Sequence, residues 1–213
     1  MKNFPSYLIE GHKKFKREDF PKERSSYEKL ATVGQAPKVL VVGCSDSRVD
    51  PSHIFNAEAG DLFMVRNVAN LVPPYEADGA YHGVSAALEF GVMHLEVEHV
   101  VVLGHTGCGG IHAMLDPDAP LRDDMTFITN WVSMMSEERD IVCRDMPDSD
   151  MEDQMDALEQ RSISASLENL KSFPFIQKRV SEGKLALHGA YFDVATAGLY
   201  VRDGETGTYS LIE

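Results

Sequence analysis

Two short stretches hold most of the residues that could do chemistry together, GCSDSR at Gly43–Arg48 and GHTGCGG at Gly104–Gly110. Between them they bring Cys44, Asp46, Arg48, His105 and Cys108. Two thiolates and one imidazole are a zinc ligand set, and three protein ligands leave the fourth position open, as a catalytic metal requires. The His-x-x-Cys spacing lets His105 and Cys108 reach one ion. Cys108 also falls near the first turn of the next helix, where the dipole favours a thiolate. Cys143 is an alternative fourth ligand that would close the site as a structural one. Asp46 and Arg48 form either an ordinary ion pair or a positioned acceptor beside the metal. Gly109 and Gly110 leave N–H groups unobstructed at a helix start, as a tight turn or as a cradle for a developing anionic oxygen.

The elements that must position these residues are legible on either side. Each stretch follows an apolar, β-branched run, Lys38–Val42 before the first and His99–Leu103 before the second. Such runs, bounded by Gly, read as buried strands of a parallel sheet, whose ligand crevice lies beyond the strands' carboxyl ends. A strand is expected over Asp61–Arg66, a loop over Asn67–Pro74 and a helix over Tyr81–Leu95, where Val84, Leu88, Gly91, Val92 and Leu95 recur at helical spacing. Further helices are expected at Pro5–Phe20, Pro21–Val33, Pro51–Phe55, Gly109–Leu115, Thr126–Glu138, Met151–Leu170 and Phe173–Ser181. Strands over Leu185–Val194, Leu199–Arg202 and Tyr209–Ile212 complete the reading. The expected fold is α/β, a mainly parallel central sheet flanked by helices. Residues 1–34 form an N-terminal helical arm and residues 35–213 a zinc-binding catalytic domain.

The 213 residues are 43% hydrophobic and 25% charged, an ordinary globular composition. A formal net charge of −14 argues against a nucleic-acid or anionic-membrane partner. Much of that charge falls in Asp116–Glu159, which reads as a solvated face. No apolar window reaches membrane-spanning length. Met1–Phe20 is rich in Lys and Glu without a signal-peptide core, so a cytoplasmic location is expected. Three cysteines without disulfide-like spacing fit a reducing compartment and metal binding.

On the two motifs and their separation, the chain resembles the β-class carbonic anhydrases from about Gln35 to Val201. The resemblance implies reversible hydration of CO2 to bicarbonate and a proton by zinc-bound hydroxide, with one Zn2+ per chain on Cys44, His105 and Cys108. It implies that Arg48 holds Asp46 off the metal, leaving one carboxylate oxygen to orient the nucleophile. It points to Gln35, Phe63, Val68, Phe90 and Gly109 as substrate-binding residues and to His94 for proton transfer. Some of these would come from a second subunit, since the family's arm lies across its neighbour, so a homodimer or dimer-based tetramer is implied. Phe90 stands where plant-type members carry a Tyr, so a hydroxyl is missing. A second, non-catalytic bicarbonate site in one subgroup uses a Trp, an Arg and a Tyr; Val41, Arg66 and Phe192 stand there, and two of the three are absent. Relatives with this zinc site hydrolyse CS2 or COS, which is the alternative activity. A zinc- or redox-sensing module without turnover is the alternative of another class.

Overall fold

The computed structural model describes residues 4–78, 81–115 and 124–212, in two units, Met1–Ala36 and Pro37–Glu213. Residues 116–123 of the acidic stretch lie outside the described residues. The first unit is helical: α1 (Ser6–Lys14), a π turn (Phe15–Asp19) and α2 (Phe20–Val33), ended by Gly34 at φ 91°. Two helices parted at Pro21 are expected, yet the chain stays helical past it. Pro21 falls in the first turn of α2, where its missing N–H would have had no intrahelical partner and its fixed φ suits the helix. No residue of α1 or α2 is buried.

The second unit runs β1 (Val39–Cys44), α3 (Pro51–Ile54), β2 (Leu62–Asn67), α4 (Gly83–Glu89), β3 (His99–His105) and α5 (Gly109–Leu115). It continues with α6 (Thr126–Val132), α7 (Ser136–Asp145), α8 (Met151–Leu170), α9 (Pro174–Ser181), β4 (Ala186–Phe192), β5 (Leu199–Arg202) and β6 (Tyr209–Leu211). The strands form one sheet in the order β2-β1-β3-β4-β5-β6. β2, β1, β3 and β4 are parallel, and β5 and β6 return antiparallel. The chain leaves β1 to one side for β2 and comes back on the other side as β3, so the strand order reverses there. That is where a crevice opens at the carboxyl ends of an α/β sheet. Cys44 ends β1 and His105 ends β3.

Alternation along the strands divides the core. Leu40, Val42, Val100 and Val102 face one way, against Val84, Leu88 and Val92 after β2 and Ile163, Leu167 and Leu170 of α8. Val41, Leu103 and Ala190 face the other way and are the buried members of a smaller cluster, while Met64 on that side is 39% exposed. Among the described residues, no helix is long and apolar enough to cross a membrane.

Two expected helices are modified. The one over Tyr81–Leu95 is regular only for Gly83–Glu89 and continues as a π turn, Phe90–His94. There Gly91 lies so close to β1 that a Cβ would stand 2.5 Å from Leu40 Cδ1. The one over Thr126–Glu138 breaks into a 3₁₀ turn at Ser133–Met135, which buries both Val132 and Met135 before α7 begins.

Candidate metal centre

The strand ends and the loops after them assemble the centre. Cys44 is 5% exposed, His105 1% and Cys108 2%, and their ligand atoms all lie within 4.8 Å of one another. The two Sγ atoms are 4.0 Å apart. His105 Nδ1 lies 3.0 Å from the Thr106 carbonyl, the only acceptor-type partner it needs to carry its proton there. Nε2 is buried without a hydrogen-bond partner among the described residues. With the proton on Nδ1, Nε2 offers a bare lone pair toward the sulfurs, the tautomer a metal takes.

Backbone N–H groups point at both sulfurs, those of Asp46 and Ala69 at Cys44 and those of Gly110 and Ile111 at Cys108. Ala69 reaches its position through a left-handed backbone, φ 64°, followed by Asn70 at φ 49°. Such a turn costs of order 1 kcal/mol or more per residue and persists only where neighbours hold it. Asn67 holds it from one side, donating from Nδ2 to the Leu71 carbonyl at 2.9 Å and accepting from Leu71 N–H at 2.8 Å. The hydrogen bond with Cys108 is the main cause that lowers Cys44 to about 4; burial opposes it, and His105 and the two N–H groups add to it. The same hydrogen bond, burial and the Cys44 charge push Cys108 far up. Burial pulls His105 down, but Cys44 and the Thr106 carbonyl outweigh it and leave it raised.

The Asp46 carboxylate accepts from Arg48 Nε and from the Arg48 backbone N–H at Oδ1, both 2.9 Å, and from Arg48 Nη2 at Oδ2, 2.7 Å. Oδ1 is thus filled and Oδ2 keeps an acceptor direction. These bonds, with the Arg48 side chain foremost, hold Asp46 well below the usual carboxylate range, and Asp46 in turn raises Arg48.

The donor set fits zinc. Two sulfurs bound tetrahedrally to one zinc stand about 3.8 Å apart, against 4.0 Å here, and a buried imidazole nitrogen with no other partner completes the set. Cys143, exposed on α7, is not part of the cluster.

The other expected site residues are placed less uniformly. Gly109 begins α5 with open space where a Cβ would be. Val68 packs over Gly110, whose Cβ would stand 2.6 Å from Val68 Cγ1, and its carbonyl accepts from Trp131 Nε1–H at 2.8 Å. An apolar cleft of about 700 Å³ opens beside it, lined among others by Tyr81, Phe127, Ile128 and Trp131. Phe63 is in register with Leu40, whereas Cys44 is in register with Asn67. Phe63 therefore lies four residues, about 13 Å, down the strands from the ligand level of its own chain. It stacks on Phe90 at 5.8 Å, and Phe90 stacks on His94 at 4.7 Å. Gln35 is exposed in the first unit. At the positions of the second bicarbonate site, Val41 is buried in β1 and Phe192 ends β4. Arg66 spends its guanidinium on the carbonyls of Cys44 (2.8 Å), Asp46 (2.7 Å) and Val49 (3.1 Å).

Sequence reasoning missed Glu159. It sits on the buried face of α8, 1% exposed, and accepts from Cys108 N–H at 2.7 Å and Tyr191 O–H at 2.5 Å. Burial raises its carboxyl above the ordinary value, against the pull of those two donors. Its signal was a carboxylate within the apolar period of a helix, next to Leu158 and one turn before Ile163.

Fold and site together define an α/β protein with a Cys-His-Cys cluster and a locked Asp–Arg pair at the switch point of its sheet. Residues 39–199 match the family model described as carbonic anhydrase. Beta carbonic anhydrase 3 of Arabidopsis thaliana is 41% identical over 182 residues, which are 84% of this chain and 69% of that protein. A carbonic anhydrase of Synechococcus elongatus is 35% identical over 187 residues, 88% and 67% of the two. The solved structure of the β-carbonic anhydrase CcaA superposes with a TM-score of 0.91 at 33% identity, covering 98% of this chain and 92% of that one. One of two tetrameric β-carbonic anhydrases from Sordaria macrospora gives 0.78 at 26% identity, covering 96% and 98%. The chain belongs to the carbonic anhydrase family, in its β class.

Proposed function

We propose that this protein reversibly hydrates CO2 to bicarbonate and a proton with one zinc ion held by Cys44, His105 and Cys108. The observation that carries the reading is the bare, buried Nε2 of His105 facing two sulfurs beside the Asp46–Arg48 pair. Bound there, zinc supplies the Lewis acidity that makes water a nucleophile near neutral pH. Arg48 fixes the Asp46 carboxylate on two edges, so Asp46 cannot swing onto the ligands. The free direction of Oδ2 accepts the hydrogen of the attacking oxygen and turns a lone pair toward CO2. The Gly109 N–H, with no side chain in front of it, receives the developing negative charge on the product. The cleft beside Val68 is apolar, which suits an uncharged substrate. A sensor without turnover has no use for an acceptor held in this way.

We infer a homodimer or a dimer-based tetramer, with the helices of residues 1–34 contacting a second subunit. Phe63 lies down the strands from the ligand level of its own chain, with Phe90 stacked on it and His94 on Phe90, which favours a partner's copies walling each centre. A parallel sheet is normally covered on both faces, and one face here keeps half-buried apolar residues for a second copy. The Sordaria macrospora relatives are tetrameric. Gln35 from the first unit and His94 are assigned to bicarbonate binding and proton transfer in that assembly. A cytoplasmic location is supported by three cysteines whose spacing is not that of a disulfide framework. The test is stopped-flow CO2 hydration with zinc quantification on the same preparation. One zinc per chain with hydration activity is expected; stoichiometric zinc without hydration would overturn the enzymatic reading.

A further inference from the structure

Helix α8 supplies the centre with support that its ligands do not provide for themselves. The amide of Cys108 lies just before α5, where a helix leaves its first N–H groups without intrahelical partners. It is buried, and a buried amide without an acceptor costs about 1–3 kcal/mol. The acceptor is Glu159 Oε1 at 2.7 Å, brought from far along the chain. Its other oxygen is taken by the Tyr191 hydroxyl at 2.5 Å, and that hydroxyl also lies 3.2 Å from Asp156 Oδ1. Burying a carboxyl group is costly, and an apolar side chain of similar size would suit a position that served packing alone. Two turns on, Ser166 of the same helix face lies 3.2 Å from Val72 N and 3.4 Å from the Asn70 carbonyl, beside the turn whose Ala69 N–H points at Cys44. One helix face thus braces the surroundings of both thiols.

We propose that Glu159 is a positioning residue of the metal centre: its carboxyl group holds the Cys108 amide from behind and fixes the direction of the Cys108 sulfur, with Tyr191 holding Glu159 in turn. Glu159 touches no reacting atom. It acts through Cys108, as hydrogen-bonded groups behind metal ligands do elsewhere, where their loss typically costs ~10–100-fold in metal affinity or activity. This inference rests on the proposed zinc site.

The test compares the parent with Glu159→Gln, Glu159→Ala and Tyr191→Phe. Zinc affinity is read by competition with a chromogenic chelator, and ligand geometry by the thiolate-to-cobalt and ligand-field absorption bands of the Co2+-substituted proteins. Glu159→Ala is expected to weaken zinc ~10–100-fold and shift the cobalt bands. Glu159→Gln keeps an acceptor for the amide and is expected to lose less, and Tyr191→Phe to shift in the same direction by a few-fold. Parental zinc affinity and cobalt spectra in both Glu159 variants, even with lowered Tm, would overturn the proposal and leave Glu159 a packing role. Should the Ala variant fail to fold, the isosteric Gln and the Phe variants decide by the same readouts. Failure of the proposed function itself shows separately, as a parent that takes up no stoichiometric zinc.

Discussion

Arg48 joins the two motifs, because its Nη2 lies 2.8 Å from the Gly107 carbonyl and 2.7 Å from Asp46 Oδ2. Gly107 turns with φ +64°, which presents that carbonyl to the guanidinium. One planar fork thereby sets the Asp46 carboxylate relative to the loop that carries Cys108. A lysine, a point charge without the fork, cannot make the same set of bonds.

Arg48→Lys and Arg48→Ala are accordingly expected to lower kcat/KM by roughly 10²-fold or more while zinc is retained, and Asp46→Asn to do the same by placing an amide donor where an acceptor is needed. Hydration kinetics with metal analysis check this. Near-parental rates in all three would reduce the pair to a surface ion pair.

Cys44→Ser and Cys108→Ser are expected to lose the metal, and Cys143→Ser to keep it, since Cys143 is exposed and outside the cluster. Zinc per chain measured by atomic emission decides the matter. Metal loss from the Cys143 variant would contradict the open-site assignment.

The adjacent glycines should separate stability from function. A Cβ at Gly110 would meet Val68 Cγ1 at 2.6 Å and Ala69 Cβ at 3.1 Å. Gly110→Ala is therefore expected to cost about 1–3 kcal/mol by overpacking. Gly109 has open space, so Gly109→Ala should stay within about 0.5 kcal/mol of the parent in stability yet hydrate CO2 more slowly. Urea denaturation and kinetics on both variants give the comparison, and equal destabilisation would refute it.

Bicarbonate is expected to act only as a product. Val41 is buried, Phe192 has no hydroxyl, and Arg66 is committed to three carbonyls of the Cys44–Val49 segment. Steep cooperative inhibition by added bicarbonate, beyond product competition, would count against this.

His188 gives a pH-dependent stability. Its Nε2 lies 3.1 Å from His99 Nδ1, and burial, helped by the charge of His99, holds its pKa below the ordinary value. The unfolded chain then binds the proton more readily than the folded one. Its contribution to stability is complete above the unfolded value near ~6.5 and is lost as pH falls from there through the lower folded value. Tm measured across that window should fall less steeply for His188→Gln than for the parent. Parallel curves would show that His188 does not titrate differently in the two states.

What the sequence determined by itself was local or followed from topology. Apolar runs closed by Gly specified β1 and β3, and parallel strands deliver their following loops to one edge, so Cys44, His105 and Cys108 could be brought together without coordinates. The Asp46–Arg48 pair was equally legible, because two residues of separation constrain both ends. Tertiary structure alone decided the rest. Glu159 meets Cys108, and Arg66 clamps the Cys44 loop, through hydrogen bonds that span long stretches of chain, and no periodicity encodes such partners. The left-handed Ala69 and the π turn at Phe90–His94 run against local preference; Asn67 holds the first through its two bonds to Leu71, and Gly91 packs the second against Leu40 of β1. Strand register, a property of pairing rather than of any one strand, is what set Phe63 four residues, about 13 Å, down the sheet from the level of Cys44.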